Sequence, residues 1–238
     1  MNETNLEINE FNRNKWRLEI SLLIIISALI SGTLYIYQNY IMEPIENDPL
    51  RIYPSLIRMI RMLLVYVFPS YLFVRRYGGS LRDMGIRFPE KYAFISLIGG
   101  MMIYVVVGFI FLKYQIFFGG WRHRSWNTLW IIFMFVGIMA SVTDFWTRGF
   151  ILLEIERKEG EKAAIFYQNL TWFVIHIYEI DLLIPYIGLV GAIIMTLFLG
   201  IVGDIIALRT KSIIGLMLGH IALNLMVILA AKEVINVF

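Results

Sequence analysis

Ionisable and amide side chains recur at one-turn spacing within the apolar stretches of this chain. Asp144 lies four residues before Arg148, and the same spacing separates His220 from Asn224. Another histidine, His176, lies in the apolar segment TWFVIHI. Residues four apart share one face of a helix, so each pair could line a cavity. A carboxylate or imidazole can take a proton from water, and imidazole and amide groups can stabilise an oxyanion, which suggests hydrolysis by an activated water.

The position of these groups within apolar segments makes them candidates for a site. Polar side chains inside a bilayer are costly, face the interior of a bundle and by default indicate function. Alternatively, Asp144 and Arg148 form a structural ion pair, and a single buried histidine is more often a packing residue. A carboxylate, a guanidinium, two imidazoles and an amide at similar membrane depth favour one shared cavity.

Other hydrolytic chemistries have less support in the sequence. The chain has no cysteine and no His-Glu-x-x-His motif, and the two candidate histidines have no obvious third ligand for zinc. A Gly-x-Ser-x-Gly elbow, typical of many serine hydrolases, is also absent. We therefore expect neither a metal ion nor another cofactor.

The composition indicates which elements must position these groups. Hydrophobic residues make up 59% of the 238-residue chain and charged residues 16%, which excludes a typical soluble domain and indicates an integral membrane protein. The net charge of +3 lies in short loops, which favours contact with the lipid bilayer over nucleic-acid binding. The first apolar run is too long for a signal-peptide core, so we expect a retained anchor.

Seven apolar runs are long enough to predict membrane-spanning helices, and hence an all-α bundle of about seven spans. The runs cover residues 19–38, 55–74, 92–112, 128–153, 163–178, 183–208 and 212–231. A tight turn is expected at EIDLLIPY, between the fifth and sixth runs. Residues 1–17 form a predicted cytoplasmic segment, and residues 18–238 a single transmembrane domain.

The distribution of basic residues in alternate loops predicts the orientation of the bundle. One set of loops contains thirteen Lys and Arg residues and the other contains five. Since positively charged loops are retained in the cytoplasm, the N-terminus is predicted there and the C-terminus outside, in a protein of the plasma membrane. The basic segment WRHRSW is the exception, because it falls in an outer loop.

Several remaining polar and small residues have a structural interpretation. Asp204, near the end of the sixth run, could join the polar cluster, but pairing with Arg209 is favoured. Three glycine pairs are expected to let helices pack closely, namely Gly99 with Gly100, Gly200 with Gly203, and Gly215 with Gly219.

Three motifs together resemble the CAAX prenyl endopeptidase and bacteriocin-processing family of intramembrane proteases, called CPBP or Abi. That family has Glu-Glu-x-x-x-Arg, Phe-x-x-x-His and His-x-x-x-Asn on successive helices. This chain has Thr143-Asp144-x-x-x-Arg148, Trp172-x-x-x-His176 and His220-x-x-x-Asn224 in the same order. The segments SLRDMGIR and GIVGDIIALRTKSIIGLMLGH are also similar to family sequence, so the resemblance covers a core of about residues 80–231.

The resemblance implies specific roles for these residues. In the family, the first glutamate and first histidine activate water, the second glutamate pairs with the arginine, and the second histidine and asparagine stabilise the oxyanion. By position, Arg148, His176, His220 and Asn224 keep these roles, and Asp144 replaces the arginine-paired glutamate. Thr143 replaces the general base, although a threonine hydroxyl cannot accept a proton from water as a carboxylate does.

This departure leaves three functional hypotheses. Asp144 or His176 could serve as a substitute base in a metal-independent endopeptidase acting on a membrane-associated peptide or protein. The bundle could instead be an inactive pseudoprotease that binds and regulates, or scaffolds, a membrane partner. In the third hypothesis the polar cavity conducts an ion or small solute. Asp144 is one methylene shorter than glutamate and points about 100° away from the first motif position, which weighs against its use as a base.

Overall fold

The computed structural model describes residues 3–36, 52–89, 92, 94–114 and 122–234, which form helices and connecting turns without a β-strand. Several helices contain π-helical segments, in which backbone hydrogen bonds join residues five apart instead of four apart. The predicted helix end at Gln38 and the counted loop residues Arg51 and Lys91 lie outside the described residues. The described helices are α1 (Glu3–Ile36), α2 (Ile52–Arg61, Met62–Val67 and Phe68–Arg76), α3 (Ile95–Gly99 and Gly100–Lys113), α4 (Trp126–Ile132 and Phe133–Gly137), α5 (Ser141–Asp144, Phe145–Leu152 and Leu153–Glu159), α6 (Glu161–Ile175), α7 (Ile177–Thr210) and α8 (Ile214–Ala231).

The all-α membrane architecture agrees with the sequence prediction. Four described helices are long and apolar enough to cross a bilayer, namely Leu56–Arg76, Ile95–Lys113, Ile180–Thr210 and Ile214–Ala231. A shorter apolar helix covers Trp126–Phe135. The protein is therefore a polytopic helical membrane protein, and the count of seven spans stays a prediction.

The predicted fourth helix is divided into α4 and α5 by a turn at residues 138–140. Side chains on the first turn of α5 form hydrogen bonds with the carbonyls of that turn. The Ser141 hydroxyl donates to the Ile138 carbonyl at 2.7 Å, and the Thr143 hydroxyl donates to the Ala140 carbonyl at 2.6 Å. Hydroxyl side chains that bond to nearby carbonyls compete with regular helical pairing, which accounts for the break. Apolar periodicity does not detect this effect.

The expected turn at EIDLLIPY is also displaced. The chain leaves α6 at His176, whose backbone angles of φ −104° and ψ 14° are not helical, and α7 begins at the next residue. Pro185 lies inside α7, and Gly188, with φ 71° and ψ 165°, interrupts the helical backbone with a kink that divides α7 into two helical parts. Glycine tolerates this positive φ because it has no Cβ. The connection is therefore shorter than predicted, and His176 lies at a junction rather than within a helix.

Close packing between α3 and α8 depends on the predicted glycines. A Cβ on Gly100 would lie 2.8 Å from the backbone of Gly215, and one on Gly219 would lie 2.8 Å from the Met101 Cα. The two helix backbones thus meet without intervening side chains, as in other membrane helix pairs with small residues at the contact. Gly99, by contrast, has only ordinary contacts. This pairing fixes the position of α8, and hence of His220.

The loop after α2 is attached to the turn that precedes α8. Ile213 N–H donates to the Gly85 carbonyl at 3.1 Å, and the Ser212 hydroxyl donates to the Arg87 carbonyl at 2.7 Å. A Cβ on Gly149 would lie 2.6 Å from the Met84 carbonyl oxygen, so α5 also approaches this loop closely. The two segments that resemble family sequence therefore pack together against the helix that contains Asp144.

Contacts between loop residues lie at two opposite polar ends of the molecule. At one end, Arg13 contacts Glu159, Lys211 contacts Glu156 at 2.8 Å, and Arg87 donates to the Lys211 carbonyl at 2.9 Å. At the far end of α8, Lys232 donates to the Arg122 carbonyl at 3.0 Å. These described members of the two loop sets lie at opposite ends, as the alternating topology requires.

Candidate active site

Asp144 is the centre of a buried polar cluster. Its side chain is fully buried and pairs with Arg148 through Oδ1. The Tyr104 hydroxyl, on α3, lies 2.7 Å from Oδ1 and 2.8 Å from Oδ2. His220 Nδ1, on α8, lies 2.9 Å from Oδ2. Both carboxylate oxygens are therefore occupied by donors from three helices, which stabilises the anion in an apolar surrounding.

Arg148 contacts groups from α6 and α7 in addition to Asp144 on its own helix. Its Nη2 donates to the Leu199 carbonyl at 3.2 Å, and its Nε lies 3.4 Å from Asp204 Oδ1. The guanidinium carbon lies 4.0 Å from the centroid of the Trp172 ring, a cation–π contact. Arg148 is 1% exposed, so its charge is compensated almost entirely by protein groups.

The favoured pairing of Asp204 with Arg209 is wrong, because Asp204 belongs to the cluster. It is completely buried, and its Oδ2 accepts a hydrogen bond from Asn169 Nδ2 at 2.7 Å. Arg209, five residues further along α7, is exposed. The guanidinium of Arg148 reaches Asp204 beside Gly203, where a Cβ would lie 2.5 Å from it. The small residue expected for helix packing thus also makes room for the charged group.

His220 and Tyr104 form a second contact within the cluster. Their rings stack with centroids 4.6 Å apart and an interplanar angle of 18°. Tyr104 therefore holds the imidazole by its ring and the carboxylate of Asp144 by its hydroxyl. The His220 side chain is 14% exposed, in contrast to the buried Asp144. Sequence reasoning missed Tyr104, because a tyrosine in an apolar run gives no signal until its partners are known.

His176 lies next to this cluster but on the other side of Trp172. The two rings lie 3.8 Å apart, and His176 Nδ1 is 2.8 Å from the carbonyl of Trp172. The Trp172 indole in turn donates to the Thr196 carbonyl at 3.1 Å and contacts Arg148. The two predicted histidines thus approach the Asp144–Arg148 pair from different helices, His220 directly and His176 through the indole.

Thr143 and Asn224 are both bonded to backbone carbonyls. The Thr143 hydroxyl donates to Ala140, on the turn before α5, and the side chain is half-buried. Asn224 Nδ2 donates to the His220 carbonyl at 3.0 Å and to the Gly137 carbonyl at 3.3 Å. Asn224 therefore attaches α8 to the end of α4. Neither residue contacts the Asp144 carboxylate directly.

The π-helical segment Phe145–Leu152 places Arg148 in the middle of the bundle. All eight of its residues are buried, and such segments are frequent at functional sites because they redirect side chains. Among the described residues, no group of three or more His, Asp or Glu side chains is arranged to hold a metal ion. The arrangement provides a buried ionic core with two histidines at its margin.

The fold and this site define a polytopic helical membrane protein with a buried carboxylate–guanidinium–imidazole cluster. A family model described as "Type II CAAX prenyl endopeptidase Rce1-like" matches residues 124–226. The matched segment includes all six predicted site residues: Thr143, Asp144, Arg148, His176, His220 and Asn224. Over this segment, which is less than half of the chain, the sequence is similar to the CAAX-protease-like family, CPBP. Neither a curated protein nor a solved structure matches the chain.

Proposed function

We propose that the protein is an intramembrane endopeptidase in which His220 replaces the missing glutamate as general base. The substrate would be a membrane-associated peptide or protein. The observation that supports this proposal is the 2.9 Å contact between His220 Nδ1 and Asp144 Oδ2. Similarity to this family over residues 124–226 supports peptide-bond hydrolysis as the reaction, and the hydrogen bond indicates which group could start it.

The contact assigns Asp144 the role of orienting residue. A carboxylate that accepts from Nδ1–H fixes the imidazole in the tautomer whose lone pair is on Nε2. Asp144 itself is unsuited to accept a proton from water, because it is buried and both of its oxygens have partners. His220 is partly exposed, so its Nε2 can meet a water that Asp144 cannot reach. The proton would move from water to Nε2 as the hydroxide attacks the peptide carbonyl, and the imidazolium would return it to the leaving amine as the C–N bond breaks.

The remaining site residues have supporting roles in this proposal. Arg148 fixes the position of Asp144, and His176, by its position in the family motif, would orient the attacking water. Asn224 would stabilise the oxyanion by releasing the Gly137 carbonyl, which is the longer of its two hydrogen bonds. No step of this reaction requires a metal ion or another cofactor. We place the protein in the plasma membrane with its N-terminus in the cytoplasm, on the distribution of basic residues.

A cleavage assay with His220→Gln tests the proposed base. Purified protein is incubated with fluorogenic membrane peptides that either have or lack a prenylated C-terminus. We expect kcat to fall by roughly 10²- to 10⁴-fold, the range for loss of a general base. Lys162→Gln is the matched control, because Lys162 is an exposed residue remote in sequence from the cluster. Unchanged kcat in well-folded His220→Gln would disprove this mechanism.

The environment of Thr143 supports a second candidate function, that of a pseudoprotease. Its hydroxyl is committed to the Ala140 carbonyl, so the position of the family's catalytic glutamate offers no proton acceptor. In this case the protein would bind a partner helix without cleaving it. Detergent pull-down with mass spectrometry would then recover an intact partner and no cleaved product.

Thr143→Glu separates the two candidate functions. If His220 acts as base, wild-type protein cleaves peptides and the added carboxylate changes the rate modestly. If the protein is a pseudoprotease, wild-type protein is inactive, and Thr143→Glu restores cleavage because the other motif residues are present. Thr143→Gln is the control, since glutamine has the size of glutamate but no carboxylate. Cleavage gained equally by Thr143→Gln would argue against a restored base.

A further inference from the structure

Two adjacent cavities lie beside α1, outside the polar cluster. The first has a volume of about 330 Å³ and is lined by Asn12, Arg13, Trp16, Tyr77 and Lys158. The second is an apolar groove of about 530 Å³ between α1 and α2. Its apolar lining consists of Leu22, Leu23, Ile26, Pro69, Leu72 and Phe73. We propose that together they bind one phospholipid with an anionic headgroup, the phosphate in the first cavity and an acyl chain in the groove.

The first cavity has the charge that an anionic headgroup requires. Arg13 and Arg17 both form two hydrogen bonds with Glu159, at 3.0 and 2.7 Å in each case. Two guanidinium groups thus share one carboxylate, which leaves one positive charge, and Lys158 adds another. Basic pockets between membrane helices attract anionic lipid headgroups, at about 1 kcal/mol per basic side chain near the membrane surface.

Aromatic side chains place this cavity at the level of the headgroups. Trp16 and Tyr77 both line it, and such amphipathic rings are enriched where membrane meets water. The Trp16 indole is fixed by donating to Glu154 Oε1 at 3.2 Å. From Trp16, α1 continues into its apolar stretch, so the groove begins directly below the cavity.

The cavity and the groove are connected at Glu19. This residue lines the groove, accepts a hydrogen bond at 2.9 Å from Tyr77 of the cavity, and pairs with Arg76 at 3.3 Å. The groove then extends from Glu19 to Ile26, seven residues or about 10 Å of helical rise. A polar cavity that continues into an apolar groove fits the two parts of a phospholipid. A free anion would use only the first.

Native mass spectrometry of the full chain tests the proposal with phosphatidylglycerol and phosphatidylcholine as probes. We expect one phosphatidylglycerol to be retained in preference to phosphatidylcholine. Lys158→Gln removes one positive charge from the cavity without breaking either arginine pair, and should weaken phosphatidylglycerol binding about fivefold. Lys15→Gln is the matched control, because Lys15 is exposed on α1 but does not line the cavity.

Substitutions in the groove test the acyl-chain part of the site. Ile26→Trp fills the groove and should reduce retention of phosphatidylglycerol, whereas Leu29→Trp, at an exposed position outside it, should not. Leu72→Trp on the opposite wall provides a second variant should Ile26→Trp fail to fold. Equal binding of both lipids with no effect of Lys158→Gln would overturn the proposal. Complete displacement of phosphatidylglycerol by inorganic phosphate would overturn it too, because the groove would then contribute nothing.

Discussion

The Arg148 guanidinium lies in a narrow slot between the Trp172 ring and Gly203. One face of the guanidinium contacts the Trp172 ring, and Gly203 lies close enough that a Cβ there would be 2.5 Å from Nε and Nη2. A buried cation in such a slot cannot move without losing its carboxylate partners. Its position is therefore determined by α6 and α7 as much as by its own helix.

Gly203→Ala should therefore destabilise the protein. The added methyl group would push the guanidinium away from Asp204 or force α7 outward, and overpacking of this kind costs about 1–3 kcal/mol. A thermal unfolding assay in detergent should show a lower Tm. Gly99→Ala is the control, because its Cβ would meet nothing closer than 3.7 Å. Equal Tm values for both variants would contradict the assigned slot.

Individual residues of the cluster differ in how far the sequence could predict them. The pairing of Asp144 with Arg148 follows from their spacing on one helix, and the motif order indicated that His220 would join them. Tyr104 was not predicted, and for Asp204 pairing with Arg209 was favoured over the cluster, because these contacts depend on how α3 and α7 rotate about their axes. That rotation is set by close contacts such as Gly100 against Gly215, which no local pattern encodes.

Among the helices, α1 is attached to the bundle through its polar end. Arg13 and Arg17, one turn apart, both bind Glu159 at the end of α5. Hydrogen bonds from the two arginines lower the pKa of the Glu159 carboxyl to about 2. A lowered pKa favours the folded arrangement above the ordinary value of 4.5, and this contribution disappears as pH falls towards 2. The attachment should therefore be constant across neutral and mildly acidic pH.

The shared carboxylate predicts that the two arginines can substitute for each other. Arg13→Gln or Arg17→Gln alone should change hydrogen exchange in residues 11–20 little, because one bidentate pair remains. The double variant should increase exchange by more than the sum of the single effects. Lys15→Gln on the exposed side of α1 provides the control. Strictly additive effects would show that the two arginines do not substitute for each other.

Helix boundaries were less predictable than helix order. The apolar runs located every described helix, yet they missed the break between α4 and α5 and misplaced the one between α6 and α7. Hydropathy reports burial averaged over several turns. The breaks depend on single hydrogen bonds, such as those from Ser141 and Thr143, and on the local backbone at His176. Both breaks lie beside the candidate site, where departures from regular structure are expected.

At the scale of the whole molecule, the loops divide into two groups that meet at opposite ends. At one end Arg13 contacts Glu159, and both Arg87 and Glu156 contact Lys211. At the other end Arg122 contacts Lys232 and Glu233. The basic residues of the first end outnumber those of the second by thirteen to five when all loops in the sequence are counted. This asymmetry predicts which end remains in the cytoplasm.

Single-cysteine labelling provides a direct test of that orientation, because the chain has no native cysteine. Asn14→Cys on α1 and Glu233→Cys after α8 are both at exposed positions. An impermeant maleimide should label Glu233→Cys in intact cells and Asn14→Cys only after the membrane is permeabilised. The reason is that translocating the more basic end costs more than translocating the other. Labelling of both cysteines in intact cells would require an even number of spans. The reverse pattern would show that the bundle is inverted, with the cavity beside Lys158 on the outer surface.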